Sequence, residues 1–240
     1  MSSEDLTSEK NSSFDHFAGD YDSAISKGLR FTGETKEYFA ENRTLILSKA
    51  LRVLGHDTAS ILDFGCGTGS TTPHFKKHFR NASICGIDPS KQSLAIARSK
   101  HGNEPKASFI HTEAFTANET FDIAYCNGVF HHIHPQDREQ SLKLIYKSLT
   151  PGGYFSFWEN NPWNPMTRFI MNRVPFDHDA ILVWPHRARQ MLRRTGFRII
   201  STNYKFIFPA ILSPLRFMES PLSKIPLGGQ YHILCTKPKD

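Results

Sequence analysis

The sequence predicts an α/β fold, a mostly parallel sheet with helices on both faces and an antiparallel last strand. Three observations carry that reading. Short apolar runs alternate with amphipathic segments from residue 60 to residue 159, the pattern of strands joined by right-handed helical crossovers. A turn bearing Gly65, Gly67 and Gly69 follows the first apolar run and opens the next amphipathic one. Residues 197–208 and 230–237 are two more strand candidates, and the proline-punctuated link between them has no helix pattern.

The elements follow in order. Residues 1–13, MSSEDLTSEKNSS, are polar and acidic and read as a disordered tail without the apolar core of a secretory signal. Residues 14–240 read as one domain, opening on a helical cap at about 14–55. Within it, 33–55 reads as a helix: Leu45, Ile46, Lys49, Ala50 and Val53 keep helical spacing, and Gly55 stops it. SILDF (60–64) is a strand, TTPHFKKHF (71–79) a helix with Pro73 in its first turn, and SICGID (83–88) a strand. Residues 89–102 are a helix that starts at Pro89 and ends at Gly102. Strands at 107–114 and 121–128, a helix at 135–149 and a fifth strand at 153–159 complete the alternation. Two insertions, 160–185 and 209–229, read as lids.

Composition narrows the class. The chain has 240 residues, 39% hydrophobic and 22% charged, with a net charge of +6. No stretch has the roughly 18 apolar residues of a membrane span, and no nucleic-acid motif is present, so no nucleic acid is expected as partner. The basic balance leaves room for peripheral membrane contact. Cys66, Cys85, Cys126 and Cys235 lack metal-ligand spacing and read as reduced thiols of a cytoplasmic protein.

The glycine loop carries the chemistry. Glycines between a strand and a helix bring bare backbone close to a ligand at the carboxyl ends of the strands. Asp88 ends the second strand, placed to accept hydrogen bonds from ribose hydroxyls. A nicotinamide site has G-x-G-x-x-G and a pyrophosphate at the helix start. Here the pattern is Asp63-x-Gly65-x-Gly67-x-Gly69. An acid before the glycines repels a pyrophosphate but suits an ammonium group. The expected ligand is a nucleoside with a zwitterionic tail, and S-adenosylmethionine fits.

ILDFGCGTG, ICGIDPS, FDIAYCNGVFHHI and LTPGGYFSFWE, in that order, resemble the successive motifs of class I S-adenosylmethionine-dependent methyltransferases over roughly residues 40–208. The resemblance implies a Rossmann-like, seven-stranded sheet with the last strand antiparallel. It implies that Gly65, Cys66, Gly67 and Gly69 lie at the methionine part of the cofactor, with Asp63 supporting the loop and the amino group. Asp88 would bind the ribose diol, and Pro89 and Ser90 would flank the adenine. Glu113 and the Ala114 amide would meet the adenine amino group. Asn127 and Gly128 would face the sulfonium, and Tyr21 would close over the site.

Methyl transfer to a hydroxyl or amine also removes a proton, and a histidine suits that task. VFHHIHP follows the fourth strand; His132 is the first choice as general base and His131 the second. Adjacent histidines without a matching carboxylate motif do not favour a metal, and none is expected. CNGVF stands where DNA N-methylating relatives carry an Asn/Asp-Pro-Pro-aromatic motif, which argues against that substrate. The first insertion supplies Trp163 and Phe176 as apolar contacts and Arg168 and Arg173 for an anionic group. Phe206, Phe208, Leu215, Phe217 and Met218 extend the roof. The expected acceptor is a small or lipid-linked molecule, methylated on oxygen. The alternatives are an RNA- or protein-modifying methyltransferase and a non-catalytic binding protein of the same fold.

Overall fold

A computed structural model describes residues 28–56, 58–174 and 180–239. The expected tail, the cap before residue 28, Tyr21 and Phe176 lie outside the described residues. The strands are β1 (Ser60–Phe64), β2 (Ser83–Asp88), β3 (Ala107–His111), β4 (Phe121–Asn127), β5 (Leu149–Asn160), β6 (Arg198–Lys205) and β7 (Gln230–Thr236). They form one sheet in the order β3-β2-β1-β4-β5-β7-β6. β1 to β5 pair in parallel, and β7 runs antiparallel to both of its neighbours. The last strand is therefore antiparallel, as expected, but it is not at the edge. It slots between β5 and β6, where its apolar residues are covered on both sides.

The helices are α1 (Lys36–Val53), α2 (Thr72–His78), α3 (Lys91–His101), α4 (Arg138–Ser148), α5 (Pro165–Met171), α6 (Pro185–Thr195) and a single turn, α7 (Glu219–Leu222). Thr35 caps α1 by accepting from Tyr38 N, and Ser90 caps α3 by accepting from Ser93 N. Pro73 sits in the first turn of α2, where its missing N–H costs nothing.

Side chains along β1 alternate between two cores, because successive residues of a strand face opposite ways. Leu62 and Phe64 pack with Leu142 and Ile145 of α4 and Leu192 of α6. Ile61 packs with Leu47 and Leu51 of α1 and with Phe75 of α2. Burying each such leucine contributes about 1.5–3 kcal/mol. The same alternation turns Asp63 toward α1.

Several boundaries moved. The third strand ends at His111, and Thr112–Ala114 form a 3-10 turn. β5 begins four residues early, at Leu149, and runs through Pro151 to Gly153. The packing face of α1 is also offset from the one the spacing indicated, with Ile46 and Ala50 packed at its margin. Ala40, Arg43, Thr44, Leu47, Ser48 and Leu51 are buried, whereas Val53 is 87% exposed. Half of that buried face is polar, so apolar spacing selected its neighbour.

Candidate active site

The strand order reverses between β1 and β4, and a crevice opens at the carboxyl ends of these two strands, as the topology requires. A pocket of about 380 Å³ occupies it. Asp63, Gly65, Cys66 and Gly67 form one wall; Asn127, Gly128, His131 and His132 form another. Arg43 and Tyr38 of α1, Thr167 and Ile170 of α5, and Phe206, Phe208 and Gln230 enclose the rest.

The glycine loop is held from β2. Gly65 N and Cys66 N donate to Ile87 O at 2.8 and 3.1 Å, and Gly67 N donates to Asp88 Oδ2 at 2.8 Å. Asp88 Oδ1 accepts from Ser90 N at 2.9 Å. Gly65 and Gly67 adopt φ of 74° and 52°, values that L side chains rarely take. A Cβ at Gly65 would stand 2.4 Å from Val129 Cγ2, so packing demands that glycine. Among the described residues a Cβ at Gly67 would meet nothing within 4 Å, so its bareness opens onto the pocket.

Asp63 was expected to support this loop; Ile87 O and Asp88 do so instead. Asp63 is buried, and among the described residues its Oδ2 has no hydrogen-bond partner. Burial pushes its carboxyl up to about 7; the charge of Asp88 adds to the rise and Arg43 opposes it. Arg43 is occupied elsewhere: its Nε donates to Tyr125 Oη at 3.0 Å and a terminal nitrogen to Gln230 Oε1 at 3.0 Å. The burial that raises Asp63 also pushes the Cys66 thiol well above its ordinary value.

Across the pocket, His131 Nδ1 lies 2.6 Å from Glu159 Oε2, and Glu159 Oε1 accepts from Phe130 N at 2.7 Å. A carboxylate only accepts, so Nδ1 donates, and in the neutral ring Nε2 then carries the lone pair. The His132 ring lies 4.0 Å from that of His131, centroid to centroid.

The other expected residues sit apart from the pocket walls. The Gly69 Cβ position faces His101 and Ala97 of α3. Pro89 is exposed and its carbonyl accepts from His111 Nε2 at 2.8 Å. Glu113, with its side chain 83% exposed, is 3.7 Å from His111 Nδ1, and Ala114 beside it is exposed. Three of the expected substrate contacts, Trp163, Arg168 and Arg173, also lie off the pocket walls. Trp163 packs edge-on against Trp184, Arg168 is exposed, and the Arg173 guanidinium lies over Phe169 at 4.0 Å and Phe31 at 5.1 Å. Leu215, Phe217 and Met218 face solvent, leaving Phe206 and Phe208 as the roof of that side.

Two buried residues escaped the sequence reading. Arg43 interrupts the stripe of Ala40, Leu47 and Leu51, and Glu159 ends the apolar run of β5. In each case the signal was a charge at a core position.

A family model of the methyltransferase domain matches residues 62–155. Over 147 residues the chain is 29% identical to the O-methyltransferase cnsE of Penicillium expansum, covering 58% of this chain and 52% of that one. Over 168 residues it is 30% identical to malonyl-[acyl-carrier protein] O-methyltransferase 1 of Ilyobacter polytropus, covering 67% and 61%. The chain belongs to the class I S-adenosylmethionine-dependent methyltransferases. It spans between half and two thirds of the length of these two relatives. The fold of this methyltransferase matches that of an S-adenosylmethionine dependent methyltransferase from Mesorhizobium loti with a TM-score of 0.57 at 19% identity, over 78% of this chain and 96% of that one.

The pocket fits the family's cofactor on two observations. The open space at Gly67 admits a ligand against bare backbone. The unpartnered Asp63 oxygen matches an ammonium group, the one charge type that a buried carboxylate calls for. Among the described residues no cluster of three or more His, Cys, Asp or Glu suits a metal ion, and no helix is long and apolar enough to cross a membrane.

Proposed function

We propose that this methyltransferase moves a methyl group from S-adenosylmethionine to a hydroxyl oxygen of a small or lipid-linked acceptor, with His131 as general base. The observation that carries this reading is the meeting of two features in one pocket: the unpartnered Asp63 carboxylate and the buried His131–Glu159 pair. When bound, the cofactor supplies a sulfonium methyl group for in-line displacement.

The chain supplies the rest. Asp63 pairs with the ammonium group, while Gly65 to Gly67 let backbone approach the methionine portion. Asn127 and Gly128, on the opposite wall, would face the methyl-bearing end of the cofactor. Asp88 orders the loop through Gly67 N and is assigned to the ribose hydroxyls; Pro89, Glu113 and Ala114, which lie off the pocket walls, would meet the adenine only where the ligand extends past them. His131 takes the acceptor's hydroxyl proton on Nε2, and Glu159 stabilises the resulting imidazolium through Nδ1. The pair favours His131 over His132, the reverse of the order the sequence suggested. The O-methyltransferase names of the two relatives support oxygen as the acceptor atom. The wall of Phe39, Ile170, Met171, Val174 and Phe206 supports an acceptor with an apolar part.

Calorimetry with S-adenosylhomocysteine tests the cofactor assignment. Saturable binding by wild type and its loss in Asp63→Ala are expected; absence of binding by the folded protein overturns it. The base assignment is read from transfer to a panel of hydroxylated acceptors. His131→Ala should lose turnover while still binding S-adenosylhomocysteine, and unchanged turnover removes His131 from the mechanism.

A further inference from the structure

Residues Ala210–Met218 form a 3-10 ridge in which no residue is buried, although it carries Ile211, Leu212, Leu215, Phe217 and Met218. Ile211 is 87% exposed and Phe217 76%. Contiguous apolar surface of this kind marks a site that something covers.

Two features identify the cover. The first is continuity with the pocket. Phe208 and Pro209 line the pocket and lead directly into the ridge. Phe31 and Met166 line the pocket while remaining half exposed, so they stand at its mouth. The turn bearing Phe31 abuts the ridge: a Cβ on Gly33 would stand 2.8 Å from Ala210 Cβ. The mouth and the ridge are one apolar surface.

The second is charge. Residues 28–35 and 203–229 carry Arg30, Lys205, Arg216 and Lys224 against Glu34 and Glu219. Both carboxylates are engaged by the protein: Glu34 is paired with Arg216, and Glu219 Oε1 accepts from Ile207 N and Phe208 N at 3.0 and 3.1 Å. Arg30 and Lys224 are exposed. The Glu34 pair also occupies Arg216, so the cations turned outward are Arg30 and Lys224, and the face is apolar and modestly cationic on a chain of net charge +6.

We infer that this surface docks the enzyme on an anionic lipid bilayer, with Ile211 and Phe217 entering the interface and the pocket mouth facing it. Apolar anchors combined with basic side chains are what such a surface holds. A second copy fits less well, because a two-fold contact would bring the same cations face to face. The docking stands on the ridge alone; only the idea that the acceptor enters from the lipid rests on the function proposed above.

Vesicle co-sedimentation tests it. Wild type should partition onto phosphatidylcholine vesicles containing phosphatidylglycerol, and should do so at least tenfold less onto phosphatidylcholine alone. Ile211→Ser combined with Phe217→Ser should reduce the first partition at least tenfold. Both side chains are exposed, so the thermal midpoint and S-adenosylhomocysteine binding should stay unchanged. If the double variant binds vesicles like wild type, or wild type binds neither vesicle, the proposal is overturned. It is equally overturned if light scattering shows a dimer that the double substitution dissolves. Loss of S-adenosylhomocysteine binding in wild type would overturn the proposed function and leave the vesicle result to be read independently.

Discussion

His131 Nδ1 and Glu159 Oε2 are 2.6 Å apart, with both side chains buried at the carboxyl end of the sheet. The Glu159 carboxylate reaches two groups, His131 and Phe130 N, and so holds the loop after β4 in place and sets the histidine tautomer. Glu159→Gln keeps an acceptor oxygen but removes the charge that stabilises a protonated ring. Turnover should fall about tenfold to a hundredfold with S-adenosylhomocysteine affinity retained. His131→Ala should fall further, by about 10²–10⁴, the usual contribution of a general base. Equal turnover in Glu159→Gln and wild type would show that the pair only supports the loop.

Asp63 leads to a prediction about pH. Its carboxyl stands near 7, raised by burial and by Asp88. An ammonium ligand requires the ionised form, so affinity for S-adenosylhomocysteine should weaken as pH falls below 7, by up to about tenfold per unit, with proton release on binding. Stability of the unliganded protein moves the other way. The folded carboxyl titrates above its unfolded counterpart, so the folded state binds the extra proton between about pH 4 and 7. The stabilising contribution is then present below pH 4 and lost as pH rises through 7. Asp63→Asn should therefore raise the thermal midpoint at pH 8 by a few degrees while abolishing ligand binding. A pH-independent affinity from 5.5 to 8 would contradict the assignment.

Two glycines of the loop should separate folding from binding. Gly65→Ala drives a Cβ to 2.4 Å from Val129 at a φ of 74°, and should destabilise the fold by about 2 kcal/mol or more. Gly67→Ala meets open space, so its folding cost is limited to the positive φ, about 1–2 kcal/mol. The added methyl occupies ligand space, and S-adenosylhomocysteine affinity should fall at least tenfold. Denaturant melts beside calorimetry read the two effects; a Gly67→Ala protein with wild-type affinity would place the ligand elsewhere.

These residues show how far sequence reasoning reaches. The order of strands and helices was legible because parallel strands are short apolar runs and each crossover helix is amphipathic. Gly65 and Gly67 were legible because the backbone there needs positive φ beside a strand end, and Asp63 because an acid stands just before them. Arg43 and Glu159 were not, since a buried charge is intelligible only with its partner. Those partners, Tyr125 and Gln230 for one and His131 for the other, are distant in the chain and meet only in the folded sheet. Which residues of the first insertion meet substrate was not legible for a related reason. Arginine and tryptophan in an insertion are equally suited to stack on one another's neighbours, as Arg173 does on Phe169.

Glu41 ties α1 to α2. It projects from α1 and meets His74 Nδ1 at 2.7 Å, His78 Nε2 at 2.8 Å and Lys77 Nζ at 2.7 Å, all on α2. Burial alone would raise its carboxyl, but hydrogen bonds from Lys77, His74 and His78 outweigh that and hold it at about 2. A carboxyl lowered in the folded state contributes stability above its unfolded value of about 4.3, and that contribution is lost as pH falls toward 2. Glu41→Gln should therefore lower the thermal midpoint at pH 7, with the gap to wild type closing between about pH 4 and 2. α1 carries Tyr38 and Arg43 into the pocket, and Ser70 and Thr71 precede α2 on its wall. Loosening the clamp should accordingly also weaken S-adenosylhomocysteine binding, by about threefold to tenfold, although Glu41 does not line the pocket. A midpoint difference that stays constant from pH 7 to pH 2.5 would show that packing, and not charge, joins the two helices.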